Sequence, residues 1–297
     1  MIAIWGANGF IGRHLTHHLV QAGERVALFS RNYDGFPFPL PPSVETHSCD
    51  FLRPDTYVEE LKRCHTVALL VSSSMTRTFS GDPEQEILLN VQPYRQFFDR
   101  LGNKNALPSR IIYISSGGGV YGMTEQISIP ESHPLNPISP YGRGKLEIEA
   151  LVRQASPSYT ILRPANPVGI WNKRKSLLDY AIKAIKTGMP LEVFGDGEAV
   201  RDYFDVAELA SAITLAADNP AAKNEIFNVG SEKGTTINQV IKILEDVHGI
   251  PLPRRNVPLT GLDVPFNVLD CGKIRRALGW SAQRNLQDIL HEMWSAT

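Results

Sequence analysis

The feature that most constrains the fold is a glycine-rich turn at the start of the chain. A short apolar run, Ile2–Trp5, is followed by Gly6, Gly9 and Gly12, and apolar residues recur at helical spacing from Phe10 onward. In a strand–turn–helix unit the first glycine permits the tight turn, the second permits close approach of a phosphate, and the third lets the helix pack on the strand. Free N–H groups at the helix start also favour an anion. The pattern therefore predicts a dinucleotide site rather than only a tight turn. The residues expected to contact the dinucleotide here are Gly6, Asn8, Gly9, Phe10, Ile11 and Gly12.

Beyond this turn, short apolar runs alternate with longer segments of helical period. The predicted strands are Ile2–Trp5, Val26–Phe29, Val44–Cys49, Val67–Val71, Arg110–Ser115, Tyr159–Arg163 and Glu225–Val229. The predicted helices are Phe10–Ala22, Asp55–Cys64, Glu84–Leu101, Pro140–Gln154, Ser176–Thr187 and Val206–Asp218. Strands that are apolar on both faces are typical of a parallel sheet buried between helices. The sequence therefore predicts an α/β fold, a Rossmann-type doubly wound parallel sheet.

The alternation loosens after Arg163, where glycines and prolines become frequent. We predict that residues 1–165 and about 201–228 form the dinucleotide-binding Rossmann domain. Residues from about 166 to 200 and from 229 to 297 are predicted to form a smaller C-terminal substrate-binding lobe. The tail from Gly230 is rich in prolines and is expected to hold only short helices.

The charge balance and the cysteine content exclude several classes of partner. Lys and Arg total 30 and Asp and Glu total 31, so the formal net charge is -1 and nothing draws the whole chain to nucleic acid or an anionic membrane. Three cysteines without a CxxC pair indicate neither a disulfide framework nor a structural metal site. There is no signal-peptide pattern, and the longest clean apolar run, Val67–Val71, is far shorter than the roughly 20 residues of a membrane helix. We expect a cytoplasmic protein with no nucleic-acid, membrane or metal partner. His14, His17 and His18 on the first helix are expected to be solvated.

The end of the second predicted strand bears on the choice of dinucleotide. A carboxylate at this position would bind the 2′-hydroxyl of NAD and repel a 2′-phosphate. Here Phe29 is followed by Ser30 and Arg31, which suit a phosphate instead. The cofactor is therefore NAD or NADP, and we hypothesise that NADP is tolerated or preferred. The alternative is that Arg31 is a solvated loop residue and NAD binds without that hydrogen bond.

A Tyr–Lys pair at helical spacing is the strongest candidate for catalysis. Tyr141 and Lys145 follow Ser139 and Pro140, a typical helix start, so the phenol and the ammonium share one helix face. A nearby cation favours the phenolate and lowers its pKa from about 10. Tyr141 would then accept a proton near neutral pH, as an alcohol that loses hydride requires. The alternative is an ordinary surface pair on a helix.

Several motifs occur in one order along the chain, and together they carry a family resemblance. They are Gly6–Gly12, Ile114–Gly122, Tyr141–Lys145, Leu162–Gly169 and Phe194–Tyr203. In this the chain resembles the extended short-chain dehydrogenase/reductases, in particular the nucleotide-sugar epimerase/dehydratase family typified by UDP-glucose 4-epimerase. The resemblance runs from residue 1 to about residue 290.

The resemblance implies roles for further residues. It assigns Asp50 to the adenine amino group and Asn90 to the nicotinamide side of the site. It assigns Asn166 and Arg201 to the diphosphate of the substrate, for which a guanidinium is chemically suited. Asp263 matches an acidic substrate-binding residue near the C-terminus. The further residues expected along the cofactor are Phe51, Leu70, Val71 and Ser72.

The departures from the family pattern are also informative. Gly117 stands where the family has a Ser or Thr that donates to the reacting sugar oxygen, so either Ser116 takes this role or Tyr141 works without that donor. Gly118 and Gly119 stand where dehydratases of the family have an acid and a base, which argues against dehydration. Thr260 replaces a family arginine that contacts the diphosphate, and Arg254 or Arg255 are the candidates to replace it.

Three functions remain open at this point. The resemblance favours a nucleotide-sugar 4-epimerase of UDP-hexose type, which oxidises C4 transiently through a bound nicotinamide cofactor. An NADPH-dependent 4-keto nucleotide-sugar reductase would use the same Tyr–Lys pair and is supported by Ser30 and Arg31. A non-catalytic dinucleotide sensor is a minor alternative. The presence of both Tyr141 and Lys145 argues against it, because a protein that only binds a dinucleotide needs neither residue. The resemblance also implies a homodimer formed through the helices at 84–101 and 140–154.

Overall fold

The computed structural model describes residues 1–73, 82–124, 126–173, 175–258 and 264–297. Its strands are β1 (Ile2–Trp5), β2 (Val26–Ser30), β3 (Val44–Ser48), β4 (Thr66–Leu69), β5 (Ile111–Ile114), β6 (Tyr159–Pro164), β7 (Asn166–Val168), β8 (Leu191–Phe194), β9 (Val200–Asp205), β10 (Glu225–Val229), β11 (Gly234–Thr236), β12 (Arg254–Val257) and β13 (Phe266–Asn267). Its helices are α1 (Phe10–Gln21), α2 (Val58–Lys62), α3 (Pro83–Glu86), α4 (Gln92–Gly102), α5 (Gly117–Val120), α6 (Pro140–Ala155), α7 (Leu177–Thr187), α8 (Val206–Asp218), α9 (Ile237–His248), α10 (Gly272–Leu278) and α11 (Leu286–Ser295).

A seven-stranded parallel sheet organises the described residues, in the order β10-β6-β5-β4-β1-β2-β3. The chain builds outward from β1 in one direction and then returns to add β4 on its other side, so Ile4 pairs with both Leu28 and Ala68. This reversal of strand order creates a crevice at the carboxyl ends of β1 and β4, the usual position of a ligand in such sheets. All the strands predicted from the sequence lie in this sheet, and the predicted α/β fold is confirmed.

Alternate side chains of the sheet enter two separate cores. In β1, Ile2 and Ile4 join the core beneath α1 and α8, whereas Ala3 and Trp5 join the core beneath α4 and α6. Helices therefore cover both faces, which explains why the strands are apolar on both sides. The predicted helix over 84–101 is interrupted, because a π-helical turn, Ile87–Val91, joins α3 to α4.

A second, smaller sheet lies beyond the large one. β9 pairs with β7, β11 and β13, while β8 and β12 form a separate parallel pair. A third core packs against these strands beneath α7, α9 and α11. Within the segment predicted to return to the larger domain, α8 and β10 pack in the large sheet's layers, whereas β9 lies in the second sheet. The exact domain boundaries stay a prediction.

The expectation of only short helices in the tail is wrong. Helix α9 has 12 residues, and Thr236 and Gln239 form a reciprocal capping box at its start. Gly249 ends it in the left-handed conformation, with φ of +64°. The prolines of this region lie outside the helix, so they do not limit its length. No helix in the described parts of the chain is long and apolar enough to cross a membrane.

Candidate active site

The turn between β1 and α1 is too tight for side chains at two positions. Gly6 has φ of +86°, and a Cβ there would lie 3.2 Å from the carbonyl carbon of Leu70. A Cβ on Gly12 would lie 2.4 Å from the carbonyl oxygen of Gly6. Gly9 occupies the N-cap position of α1 and has no side chain to occupy the helix N-terminus. The turn therefore presents bare backbone at the crevice beside β4, which fits a bound pyrophosphate.

Asn8 connects this turn to the loop after β2. Its amide nitrogen donates to the backbone oxygens of Asn32 at 3.1 Å and Asp34 at 3.3 Å. Its side-chain oxygen accepts from Arg13 at 2.8 Å, and Arg13 also donates to the Gly35 carbonyl at 2.6 Å. The side chain of Asn8 thus holds the turn and the loop together, and its predicted contact with the cofactor stays a prediction.

The residues predicted to contact the adenosine half lie at the ends of β2 and β3. Ser30 ends β2 and is half-buried, whereas Arg31 is exposed beside it. Asp50 is exposed, and its carboxylate accepts from the backbone of Leu52 at 2.9 Å. Phe51 differs from these three, because its ring stacks on Phe97 in the core at 4.2 Å between centroids. Only the backbone of Phe51 is therefore placed to reach a ligand at this edge. The predicted residues Phe10 and Ile11 open α1 and are half-buried.

The loop after β4 is fastened from two sides. Asn90, which is 5% exposed, accepts from the backbone N–H of Ser73 at 2.7 Å. The Tyr94 hydroxyl donates to the carbonyl of Val71 at 2.8 Å. Leu70 and Ser72 belong to the same loop and are half-buried. The structure thus gives Asn90 a definite task, since it fixes the loop that the sequence places along the cofactor.

Helix α6 places Tyr141 and Lys145 together inside the protein. Ser139 caps the helix by accepting from Gly142 N–H at 3.2 Å, and Pro140 occupies its first position. The Lys145 ammonium donates to the carbonyl of Ile114 at 3.0 Å and lies 5.7 Å from the centre of the Tyr141 ring. Lys145 is 7% exposed. With Lys145 buried and Tyr141 half-buried, the two are not an ordinary surface pair on a helix.

Ser116 is the hydroxyl that lies beside Tyr141. Its oxygen accepts from the backbone N–H of Gly119 at 3.2 Å, which caps α5, and its side chain is hydrogen-bonded to Tyr141. Gly119 lies directly between them, because a Cβ there would be 3.2 Å from both the Ser116 oxygen and the Tyr141 ring. The glycines after Ser116 thus let its hydroxyl reach the phenol.

The electrostatics of the pair differ from the expectation. Burial raises the pKa of Tyr141 to about 12, although the hydrogen bond from Ser116 lowers it in part and the charge of Glu86 raises it further. Burial lowers the pKa of Lys145 to about 8, while Glu86 and Glu149 raise it. The predicted lowering of the Tyr141 pKa is therefore wrong for this structure, because desolvation of the phenolate is the largest influence on it. At neutral pH the pair is a neutral phenol beside an ammonium.

The glycines that replace the family hydroxyl and the dehydratase acids lie under two side chains of the C-terminal region. A Cβ on Gly117 would be 2.5 Å from Leu269, and one on Gly118 would be 2.9 Å from the amide nitrogen of Asn267. Larger residues at these positions would displace both side chains. Asn267 is 2% exposed and was not identified from the sequence, because β13 is only two residues long.

The small sheet carries the residues assigned to the substrate diphosphate. Asn166 lies on β7 and Arg201 on β9, and both strands pair side by side. Asn267 on β13 pairs with Arg201, and its amide lies 3.5 Å from the side-chain oxygen of Asn166. The structure thus brings these three side chains to one sheet next to the glycines of α5. Asp263 and Thr260 lie outside the described residues.

A buried ion pair supports α6 behind the Tyr–Lys pair. The Arg163 guanidinium donates to both carboxylate oxygens of Glu149, at 2.9 and 2.7 Å, and both side chains are 2% exposed. Ser115 donates to the same carboxylate at 2.6 Å, and the Tyr121 hydroxyl lies 3.1 Å from Arg163. The sequence showed neither partner, because Glu149 on α6 and Arg163 on β6 are 14 positions apart and no local spacing relates a helix residue to a residue of the next strand.

One of the helix α1 histidines is not solvated. His14 is 7% exposed, and its Nε2 lies 3.0 Å from the carbonyl oxygen of Ile170. Its ring packs against Trp171 at 4.7 Å between centroids. The expectation for His14 is therefore wrong, because the loop that holds Ile170 and Trp171 covers this face of α1.

Comparisons with known proteins agree with this geometry. The family model described as the NAD dependent epimerase/dehydratase family matches residues 2–230. A UDP-glucose 4-epimerase from Lactobacillus helveticus is 26% identical over 99% of this chain and 96% of its own length. The structure of a UDP-glucose 4-epimerase from Thermotoga maritima with UDP-glucose is 26% identical and superposes with a TM-score of 0.88, covering 99% of this chain and 97% of that one. The protein MoeE5, solved with UDP-glucose and NAD, is 25% identical with a TM-score of 0.88, covering 99% of this chain and 97% of that one.

Proposed function

Because the chain belongs to the NAD dependent epimerase/dehydratase family, we propose that it is a 4-epimerase of UDP-hexose type. The observation that carries this proposal is the Tyr141–Lys145 pair, with its lysine buried, in a chain that also has the bare backbone turn at Gly6 and Gly12. The glycines at 118 and 119 support epimerisation over dehydration, since they provide neither an acid nor a base. The relatives and neighbours above that carry an activity in their names are UDP-glucose 4-epimerases.

The residues present fit a nicotinamide dinucleotide. Gly6, Gly9 and Gly12 leave room for its pyrophosphate, and Asp50 with Ser30 borders the adenosine side. When bound, the nicotinamide supplies reversible hydride acceptance at C4 of the sugar. NAD is the cofactor best supported, because MoeE5 was solved with NAD.

The chain's own residues manage the proton and the orientation of the sugar. Tyr141 would act as its phenolate, taking the proton of the C4 hydroxyl as C4 gives up hydride to the cofactor, and returning that proton when the hydride comes back. Because burial raises the pKa of Tyr141 to about 12, the positive charges of Lys145 and of the oxidised nicotinamide would be needed to favour that phenolate. Ser116 orients the phenol by its hydrogen bond. Asn166 and Arg201 would hold the diphosphate, so that the 4-keto sugar can turn and present its other face.

The two alternative functions, a reductase and a dinucleotide sensor, have weaker support. The reductase reading depends on Ser30 and Arg31 as a 2′-phosphate site, and Arg31 is exposed at the end of β2. NADPH exchange at every turnover would be its signature. The sensor hypothesis does not account for a buried Lys145 beside a half-buried Tyr141 and Ser116, an arrangement that is chemically equipped for proton transfer.

We also propose a homodimer formed through the helical segments 84–101 and 140–154. Three consecutive apolar side chains of the π-helical turn are exposed: Ile87 at 40%, Leu88 at 67% and Leu89 at 47%. Arg95 and Glu147 bridge the two segments at 3.1 Å. Light scattering of the wild type and of Leu88→Glu tests this part, and a monomeric wild type at micromolar concentration would contradict it.

The function is tested by incubating purified protein with UDP-glucose, UDP-galactose and their N-acetyl forms, and following both epimers by NMR. We expect interconversion of at least one pair without added cofactor, and near-stoichiometric NAD in the mass spectrum of the denatured protein. Tyr141→Phe should abolish turnover, whereas Tyr180→Phe, at a side chain that is 53% exposed, should not. Failure to convert any of these sugars would reject the proposal. An empty protein that prefers NADPH would favour the reductase.

A further inference from the structure

A carboxylate from another helix lies against the turn of α6 that carries the Tyr–Lys pair. Glu86, the last residue of α3, is 3% exposed. A Cβ on Gly144 would lie 2.9 Å from the Oε1 atom of Glu86 and 3.0 Å from its Cγ. Because Gly144 immediately precedes Lys145 and lies three residues after Tyr141, the carboxylate packs on the backbone between the two.

Two features favour the close packing of the Glu86 carboxylate on α6, a glycine at position 144 and a buried positive charge. Glycine at 144 is unfavourable inside a helix by about 1 kcal/mol relative to alanine, yet it is what lets the Glu86 carboxylate approach the backbone of α6 this closely. A carboxylate is also rarely buried unless positive charge is near. The Lys145 ammonium is also buried, and the charge of the Glu86 carboxylate acts on it.

The other carboxylate near Lys145, that of Glu149, already forms an ion pair with Arg163. Glu149 lies one turn further along α6, and its two oxygens accept from Arg163 at 2.9 and 2.7 Å and from Ser115 at 2.6 Å. Much of its charge is thereby balanced. Among the described residues, Glu86 is the carboxylate that raises the pKa of Lys145 most, ahead of Glu149.

We propose that Glu86 is a positioning residue for the pair, and that its carboxylate keeps the Lys145 side chain an ammonium inside a buried site. The inference rests on the proposed function only in assuming that the reaction uses Lys145. In this assignment Glu86 does not contact the reacting atoms of the sugar. It acts through Lys145, and through the field that it places on Tyr141.

The charges around Lys145 set the direction of the expected change. Tyr141 and Glu149 face it from α6, Tyr113 faces it from β5 at 5.2 Å from the ring centre, and Glu86 faces it from α3. Burial lowers the pKa of Lys145 to about 8, and the carboxylate of Glu86 opposes this. Without that charge, the pKa of Lys145 falls further and the amine is neutral over more of the physiological range.

The test is an NMR titration of lysine side chains in protein labelled with 13C-lysine. The Lys145 signal is assigned as the one that Lys145→Arg removes. We expect Glu86→Gln to lower its titration midpoint by about one pH unit, as loss of one charge at close range implies. Glu84→Gln removes the same charge from an exposed position on the same helix and should leave the midpoint unchanged.

Two further variants keep the inference testable. Glu86→Asp retains the charge and should restore most of the wild-type midpoint. Glu86→Met is neutral without a buried amide, and it should reproduce the lowered midpoint if Glu86→Gln does not fold. In the enzyme assay, the alkaline limb of the kcat/KM profile should move to lower pH by the same amount in the neutral variants.

The outcomes separate this inference from the proposed function. An unchanged Lys145 midpoint in the neutral variants would overturn the inference, whatever the activity. A lowered midpoint in a protein that converts no nucleotide sugar would uphold the charge coupling and reject the proposed function. A lower kcat/KM at every pH, without movement of the alkaline limb or of the midpoint, would reduce Glu86 to a packing role and also overturn the inference.

Discussion

Replacing Arg163 by methionine should destabilise the fold by breaking the ion pair behind the candidate active site. The guanidinium makes two hydrogen bonds to Glu149 and a third, at 3.1 Å, to Tyr121. Both charged side chains are 2% exposed, so water does not screen the interaction. Arg163→Met leaves the Glu149 carboxylate buried, with Ser115 as a close donor and the partly exposed Arg153 guanidinium at 3.6 Å. Loss of one partner of a buried pair costs about 3–5 kcal/mol, and Arg153 places the expected loss at the lower end of that range.

The assay is urea unfolding followed by the fluorescence of the four tryptophans. Arg163→Met/Glu149→Gln should recover a large part of the stability, because the stranded charge is removed together with its partner. Arg255→Met is a matched control, since Arg255 pairs with Glu192 on the surface and should lose less than about 1 kcal/mol. A loss below about 1 kcal/mol in Arg163→Met, or a double variant weaker than the single one, would refute the reasoning.

Three further predictions follow from the site and its supports. Gly12→Ala places a Cβ 2.4 Å from a backbone oxygen, so we expect at least about tenfold weaker NAD binding by calorimetry. Gly102→Ala is the control, because its nearest neighbour is a side-chain carbon at 3.8 Å, and this variant should bind NAD normally. Equal affinities in the two variants would contradict the prediction. Ser116→Ala should lower turnover and cost about 1 kcal/mol of stability through the lost cap, and an unchanged kcat would remove Ser116 from the site. Burial raises the pKa of Asp202 to about 6, so the folded protein holds this proton more tightly than the unfolded chain does. The free energy of unfolding of the wild type should therefore fall by roughly 3 kcal/mol relative to Asp202→Asn as pH rises from about 4 to about 6. A difference between the two proteins that is independent of pH would show this assignment to be wrong.

Local patterns in the sequence were sufficient for the large sheet. All of its strands except β3, which is mostly polar, are short apolar runs, and the helices between them show regular apolar spacing, so period and length identify both. The turn at Gly6 and Gly12 was predicted because a backbone that approaches itself this closely excludes a Cβ. The Tyr141–Lys145 pair was predicted for the same kind of reason, since helical spacing alone puts the two side chains on one face.

The smaller sheet was missed because the strands that pair with β9 in it have no more than three residues, too few to show a period. β7 has three residues and β13 has two, and they are held by pairing with β9 and not by a pattern of their own. Asn267 consequently went unidentified. The burial of His14 likewise depends on the Ile170–Trp171 loop, which lies more than 150 positions away in the chain.

The sequence by itself determined the parallel sheet, the bare backbone turn and the presence of a tyrosine and a lysine on one helix face, because these depend on residues close together in the chain. The tertiary structure decided how these groups behave. It placed Tyr141 where desolvation raises its pKa to about 12, and it brought Glu86 from α3 against Gly144. Desolvation and the charges of distant residues exist only once the chain is packed, so neither the state of the phenol nor the carboxylate beside Lys145 can be inferred from spacing.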